Sequence, residues 1–279
     1  MKILTVMLAS AAIVAPTSAY AQEGWRLGIS GGTTLYSGDE DPQFANIALA
    51  RDFEQGYVEI GVSMVRGGVT QGLVNTAPVD SEAVTLSAGR SFGDISLDGY
   101  VSVGQRRFDP ETLPSGRVTI NSDGSSFAVG GALTYEAALS DTVILSPFVA
   151  VDYDKVDIAR AVILPGGDVR TVKSQEDGIT GSVGASLQKL FRKHSIGVNA
   201  AFVATSNSSA SRSGTAGDTI SRVVAARNLP GKSDEWAEVG ASASFEIADK
   251  WRLNFNANRT LGFAGPEAKS LTAGLSFRF

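Results

Sequence analysis

The chain has 279 residues, of which 43% are hydrophobic and 19% charged, with no Cys, a single His and a net charge of −5. The absence of Cys excludes disulfides, thiol catalysis and cysteine-ligated metals, and one His argues against a histidine-based metal site. The Lys and Arg residues form no cluster of the kind that nucleic-acid phosphates require. We therefore expect no cofactor, no metal and no nucleic-acid partner.

The first 21 residues have the pattern of a cleaved secretory signal peptide. Lys2 supplies a short basic start, residues 3–14 are an apolar stretch, and Ala19 and Ala21 flank Tyr20 in a small-x-small cleavage site. The apolar stretch is shorter than the ~20 residues that a membrane-spanning helix needs. The sequence therefore predicts an exported chain whose mature part is residues 22–279.

The mature part alternates between apolar and polar residues with a period of two, which is typical of β-strands that have two different faces. In the last segment, odd-numbered residues from Leu271 to Phe279 are apolar, whereas the even-numbered ones are Thr, Gly, Ser and Arg. Twelve segments of this kind are predicted: 24–36, 43–52, 55–66, 81–91, 94–108, 125–138, 142–157, 177–190, 193–206, 234–247, 250–261 and 268–279.

The connections between these segments alternate strictly between tight turns and longer links. The longer links are residues 37–42, 67–80, 109–124, 158–176, 207–233 and 262–267. This alternation predicts an all-β, up-and-down transmembrane barrel of the bacterial outer membrane, with both termini in the periplasm. A soluble two-sheet sandwich is the alternative, but its outer face would be charged, whereas the polar face here is mostly Gly, Ser, Asn and Thr mixed with charge. Pro147 lacks an N–H, so we expect a bulge or a weak pairing near the periplasmic end of its strand.

Two stretches resemble the β-domain (translocator) of autotransporters. The stretch from Leu145 to Tyr153, with Pro147 followed by Phe148, resembles that family's Pro–aromatic strand ending in Tyr. The tail from Leu271 to Phe279 resembles its closing strand, and its Leu275, Phe277 and Phe279 resemble the general insertion signal that the barrel assembly machinery reads. The resemblance implies a twelve-stranded barrel in a Gram-negative outer membrane.

Autotransporters carry a passenger ahead of the barrel, whereas only Gln22 and Glu23 separate the predicted cleavage site from the first strand. We therefore expect a barrel of autotransporter type without a passenger, non-enzymatic, with a structural or surface-interaction role. A porin-like channel for small solutes is the alternative. The expected partners are outer-membrane lipid, lipopolysaccharide and, during insertion, the barrel assembly machinery.

The charged residues on the polar face bear on whether the barrel interior, the lumen, is plugged or open. If they pair across the interior they brace and plug the barrel, since buried charges must be paired, and if their signs segregate they line a weakly selective path. The predicted lumen charges are Arg26, Glu59, Asp98, Arg106, Glu136, Asp152, Glu238, Glu246, Arg252 and Arg278.

Other candidate sites have simpler interpretations. Barrel hydrolases need a His near the outer rim, but His194 falls in a predicted periplasmic turn, so we expect no catalytic residues. Asp152, Asp154 and Asp157 could suggest cation binding. Only Asp152 and Asp154 point the same way, and two carboxylates are few for a dedicated calcium site, so these residues are interpreted as solvated lumen or rim charge. The acidic run at residues 38–41 is likewise interpreted as a solvated tip. The basic residues of the 207–233 link either contact lipopolysaccharide phosphates or fold over the acidic lumen groups, unless the link is simply a mobile loop. The three Trp residues, Trp25, Trp236 and Trp251, fit aromatic girdles.

Overall fold

The two-residue alternation produces β-strands throughout the computed structural model, which describes residues 23–36, 43–66, 79–108, 122–163, 169–207, 233–262 and 268–279. The predicted signal peptide with its cleavage site, and nearly all of the 207–233 link, lie outside these residues. The strands are β1 (Gly24–Tyr36), β2 (Gln43–Phe53), β3 (Gly56–Arg66), β4 (Val79–Phe92), β5 (Ile95–Phe108), β6 (Ser122–Tyr135), β7 (Ala137–Ser140), β8 (Val143–Ile163), β9 (Val169–Leu190), β10 (His194–Thr205), β11 (Asp234–Ala248), β12 (Trp251–Leu261) and β13 (Ala268–Arg278).

The sheet closes on itself into a twelve-stranded antiparallel barrel. Each strand pairs with its neighbours in sequence, and β1 pairs with β13 from Arg26↔Arg278 to Tyr36↔Ala268. The short extra strand β7 continues β6, since both pair with β8. At the seam, Trp25 and Phe279 exchange two backbone hydrogen bonds of 3.0 and 2.9 Å. Closure leaves no unpaired sheet edge along the seam, which is the condition for a barrel in lipid.

The barrel has two different ends. Tight turns such as residues 54–55, 93–94 and 249–250 lie at one end together with Gly24 and Phe279, and we call it the turn end. The longer connections leave from the opposite end, which we call the loop end. Within the part of the chain that the structure describes, no helix is long and apolar enough to cross a membrane.

The outward face is apolar and the inward face is polar. Large exposed hydrophobic side chains alternate along the strands, for example Ile47 and Leu49 on β2 and Val58, Ile60 and Val62 on β3. The residues between them are smaller or polar and point into the lumen, where many Ser and Thr are buried. This is the two-sided pattern of a barrel whose outside contacts lipid.

The prediction for Pro147 is confirmed. Pairing of β6 with β8 stops at Thr134↔Phe148 and resumes as β7 at Ala137↔Leu145 in the same register. Tyr135 is the residue that would lie opposite Pro147, while Pro147 remains paired with Ala185 on its other side. A proline has no N–H to give to Tyr135, so the ladder opens at that point.

The predicted link at residues 158–176 is wrong. β8 and β9 continue as a paired hairpin to Ile163↔Val169, so most of that segment is strand. The two strands have 21 and 22 residues, against 11 to 15 for all the others except β7. The hairpin therefore extends past the neighbouring strands at the loop end. This segment has no regular two-residue alternation, since residues 158–163 are apolar except for Arg160, so the pattern did not predict strand there.

Candidate functional site

Among the described residues, charged, tyrosine and tryptophan side chains lie close together on the inward face of the barrel, which we call the lumen wall. Strand alternation directs them inward, and glycines and small residues between them leave room for long side chains to lie flat against the wall. Three groups form on this wall: an ion-pair group at the turn end, tyrosine–aspartate bridges above it, and an aromatic and charged layer at the loop end.

Four charged residues meet at the turn end across β13, β1, β2 and β3, and we call them the seam quartet: Arg26, Asp52, Glu59 and Arg278. Arg26 binds Asp52 through Nη2 at 3.3 Å and Glu59 through Nη1 at 3.5 Å. Arg278 binds the second oxygen of Asp52 at 3.4 Å. The two cations and two carboxylates neutralise one another, as charges removed from bulk water must.

The quartet spans the barrel's closing seam. Arg26 and Arg278 lie directly opposite each other across the β1–β13 pairing, so their like charges repel. Asp52 on β2 accepts hydrogen bonds from both guanidinium groups and compensates that repulsion. The first and last strands are thus joined by side chains as well as by backbone hydrogen bonds.

Two tyrosines cross a glycine on the next strand to reach an aspartate one strand further. The Tyr57 hydroxyl on β3 donates to Asp98 on β5 at 3.0 Å, and its ring passes over Gly89 on β4. The Tyr100 hydroxyl on β5 donates to Asp152 on β8 at 2.6 Å, and its ring passes over Gly130.

The glycines are necessary for both bridges. A Cβ at Gly130 would collide with the Asp152 carboxylate and approach the Tyr100 ring to 2.8 Å, and a Cβ at Gly89 would meet the corresponding Tyr57 and Asp98 atoms. Each bridge satisfies a half-buried carboxylate and ties three neighbouring strands together.

At the loop end the inward side chains are almost completely buried. Trp236 is 2% exposed and packs with Ala201, Val203 and Phe148, while its Nε1 donates to Glu238 at 2.9 Å. Arg106, 4% exposed, donates to the Asp157 carbonyl oxygen at 2.7 Å. The assignment of Trp236 to an outer girdle is therefore wrong. Alternation places it on the same face as Glu238, two residues along, whereas Trp25 and Trp251 do lie on the outward face at the turn end.

The structure brings most of the predicted lumen charges to partners along the wall. Glu246 binds Lys193 at 3.4 Å and lies opposite Arg252 in the β11–β12 register. Glu136 lies at the β6–β7 break, where its N–H donates to the Asp94 carbonyl oxygen at 2.7 Å. These ion pairs connect neighbouring or nearby strands, and among the described residues they mix both signs along the wall.

The remaining candidates are not brought together. Among the described residues, no three His, Asp or Glu side chains form a group suited to a metal ion. Asp154 is buried in the wall, whereas the Asp157 carboxylate accepts hydrogen bonds from Ser125 and Gln175. His194 stacks on Phe191 at 4.5 Å and lies 6.0 Å from Phe245, at the turn end.

The terminal strand places its aromatic residues on the outward face. Phe277 lies 4.7 Å from Trp251 and 5.7 Å from Phe279, ring centre to ring centre, and Leu275 pairs with Ile29 across the seam. The role of Leu275, Phe277 and Phe279 as an insertion signal remains a prediction.

Sequence reasoning missed Asp52, Tyr57 and Tyr100, which complete the wall. Asp52 has the parity of Ala48 and Ala50, and Tyr57 that of Glu59, so alternation alone assigns both to the lumen. Their hydrogen-bond partners depend on the pairing register of the strands, which alternation along one strand does not predict.

Comparison with known proteins agrees with this architecture. The translocator domain of the autotransporter NalP from Neisseria meningitidis is similar over 94% of this chain and 90% of its own, with 17% identity and a TM-score of 0.66. The beta domain of the Bordetella autotransporter BrkA covers 92% of this chain and 99% of its own, with 13% identity and a TM-score of 0.60. The transport unit of AIDA-I from Escherichia coli covers 96% and 95%, with 10% identity and a TM-score of 0.53. At these identities the likeness shows the fold.

A family model described as the autotransporter beta-domain matches residues 17–258. No curated protein matches the chain by sequence. Barrels of this family reside in the outer membrane of Gram-negative bacteria. The match extends from before the first strand into β12, and the closed twelve-stranded sheet agrees with it. The chain belongs to the autotransporter beta-domain family.

Proposed function

We propose that this protein is an integral outer-membrane barrel, with both termini in the periplasm, whose lumen is occluded by its own wall side chains and which has a structural or surface-interaction role rather than a catalytic one. The expected partners are lipid and lipopolysaccharide around the barrel, and the barrel assembly machinery during insertion through the terminal strand.

The observation that carries this proposal is the burial of charged and aromatic side chains that point into the lumen at the loop end. A side chain lining a water-filled path would be exposed, yet Trp236, Arg106 and Glu238 are each at most 5% exposed. At the turn end, by contrast, Arg26 and Arg278 are about a third exposed (32% and 34%). The lumen is therefore a hydrated vestibule at one end and a packed layer at the other.

The non-catalytic role is supported by the position of His194. It is the single His of the chain, and its ring stacks on Phe191 at the turn end, far along the strands from the loop-end layer. A general base must lie within hydrogen-bond reach of the group it deprotonates. A channel for small solutes is the alternative function, favoured by the exposed charges of the vestibule.

Single-channel recording in a planar bilayer tests the proposal. The chain refolded from residue 22 onward should insert, show a heat-dependent shift in gel migration, and give no steady conductance. A variant with both Trp236→Ala and Phe148→Ala removes the aromatic layer and should open measurable, ohmic steps. The matched control is Phe202→Ala, which removes an outward-facing ring of the same region and should stay silent. Steady openings of the unmodified chain would establish the channel instead.

A further inference from the structure

Three of the strands that run from the loop end to the turn end finish with the same short pattern: a basic residue, one residue of any kind, and Phe. The segments are Arg51–Phe53 at the end of β2, Arg90–Phe92 at the end of β4, and Lys189–Phe191 at the end of β9, each just before a tight turn. The basic residue and the Phe share a strand face, and Phe53, Phe92 and Phe191 are all exposed on the outward face. We call Arg51, Arg90 and Lys189 the turn-end cations.

The turn-end cations are surrounded by apolar or small neighbours. Directly opposite them on the adjoining strands are Trp25 and Val58 for Arg51, Leu97 and Gly56 for Arg90, and Ile196 and Val143 for Lys189. Within the described part of the chain none of the three forms an ion pair. By contrast, the outward-facing Arg107 at the loop end does form an ion pair, with the Glu82 carboxylate at 3.6 Å.

Each turn-end cation reaches over an aromatic ring. The Arg51 guanidinium lies 5.6 Å from the centre of the Trp25 ring and 6.0 Å from that of Phe53. Arg90 lies 5.2 Å from Phe92, and the Lys189 ammonium lies 5.7 Å from Phe191. Two residues of strand span about 6–7 Å, so the backbone of each cation lies that far deeper in the membrane than its Phe. The long basic side chain runs past the aromatic ring and carries its charge toward the membrane surface.

We infer that the turn-end cations bind the phosphate groups of anionic phospholipids in the leaflet that borders the turn end. A lipid-facing cation needs an anion or water, and the residues that the structure describes place no carboxylate opposite these three. A zwitterionic headgroup brings its own ammonium, for which the sites offer no acid, whereas a phosphatidylglycerol headgroup brings only the phosphate. The inference rests on the proposed membrane location, since these residues meet lipid only in a bilayer.

Tryptophan quenching by brominated lipids measures the preference at the Arg51 site. The chain has three Trp, so in a Trp251→Phe background only Trp25, 43% exposed, and the buried Trp236 remain. Quenching then reports lipid beside Trp25. Brominated phosphatidylglycerol should bind there about fivefold more tightly than brominated phosphatidylcholine, the effect of one basic residue at an anionic surface. Arg51→Gln should bring the ratio close to one, and Arg51→Lys should keep most of it.

Arg66→Gln is the matched control, because Arg66 is an exposed residue at the loop end of the adjoining strand β3. It should leave the ratio unchanged. In the unmodified site, raising the salt from about 0.05 to 0.5 M should lower the ratio, because salt screens the charge. Three results would overturn the lipid site without affecting the proposed function: a ratio of one in the chain that keeps Arg51, an unchanged ratio in Arg51→Gln, or a ratio that does not depend on salt. Failure to insert into phosphatidylcholine vesicles overturns the proposed function and the lipid site with it.

Discussion

Asp52→Asn tests whether the seam quartet stabilises closure of the barrel. Asp52 accepts from Arg26 at 3.3 Å and from Arg278 at 3.4 Å, and these two cations face each other across the seam. The amide of Asn keeps the size of the side chain and removes its charge. The substitution therefore leaves two facing cations with only Glu59 as a counter-charge.

The size of the effect follows from the distances and the exposure. At an effective dielectric constant of about 20, one 3.3 Å ion pair has a gross attraction of about 5 kcal/mol. Desolvation offsets much of this, and the one-third exposure of both arginines allows water to screen the rest. Exposed pairs contribute about 0–1 kcal/mol, and breaking a buried pair costs about 3–5 kcal/mol. Between these limits, we expect a loss of about 2 kcal/mol in the free energy of unfolding for this partly exposed group.

Urea unfolding in lipid vesicles, followed by tryptophan fluorescence and heat-dependent gel migration, measures this loss. With a slope of about 2 kcal/mol/M, the midpoint should fall by about 1 M. Asp249→Asn, the same chemical change in an exposed turn at the same end, should leave it unchanged.

A second substitution separates repulsion from simple loss of a contact. Adding Arg278→Gln to Asp52→Asn removes one of the two facing cations, so the double variant should be less destabilised than the sum of the single ones by about 1 kcal/mol. Additive losses, or equal midpoints for Asp52→Asn and Asp249→Asn, would refute the reasoning.

Three further substitutions test local features of the wall and turns. Gly130→Ala should cost about 2–3 kcal/mol by overpacking and by displacing the Tyr100 bridge, while Gly181→Ala, whose nearest atom is 4.0 Å from the added carbon, should be nearly neutral in urea unfolding. Pro147→Ala should restore the missing donor opposite Tyr135, slow amide hydrogen exchange there, and stabilise the barrel by about 0.5–1 kcal/mol. Lys250→Gly should raise the thermal unfolding midpoint, because Lys250 has a φ of 66° that glycine adopts without strain. Unchanged exchange, or a lower midpoint, would contradict the last two expectations.

The proposed packing at the loop end and hydration at the turn end would have a common physical cause. A twelve-stranded barrel is wider than the eight-stranded barrels that side chains fill completely, so only long or aromatic side chains reach far into its lumen. At the turn end the inward residues are arginines and carboxylates that keep part of their hydration. At the loop end Trp236 and Phe148 bring apolar volume inward, and Trp236 hydrogen-bonds to Glu238 beside it.

Alternation along the chain was enough to predict most of the strands, their two faces and the order of short and long connections. Those properties are local, because a side chain's face depends only on its parity along a strand. Alternation also places Trp236 on the lumen face, two residues from Glu238. The girdle prediction for Trp236 was wrong because it relied on the residue type and not on this alternation. The extension of β8 and β9 was missed for a different reason, since residues 158–163 are apolar except for Arg160 and show no two-residue alternation.

Which side chains meet depends on the closure and pairing register of the folded sheet. Asp52 and Arg278 are 226 residues apart in sequence, and they meet because closure joins β13 to β1 and sets β2 one strand further. Tyr57 reaches Asp98, and Tyr100 reaches Asp152, because the registers of intervening strands place a glycine between each pair. Register and closure are properties of the whole sheet. No single segment specifies them, so the charges of the lumen were predictable and their partners were not.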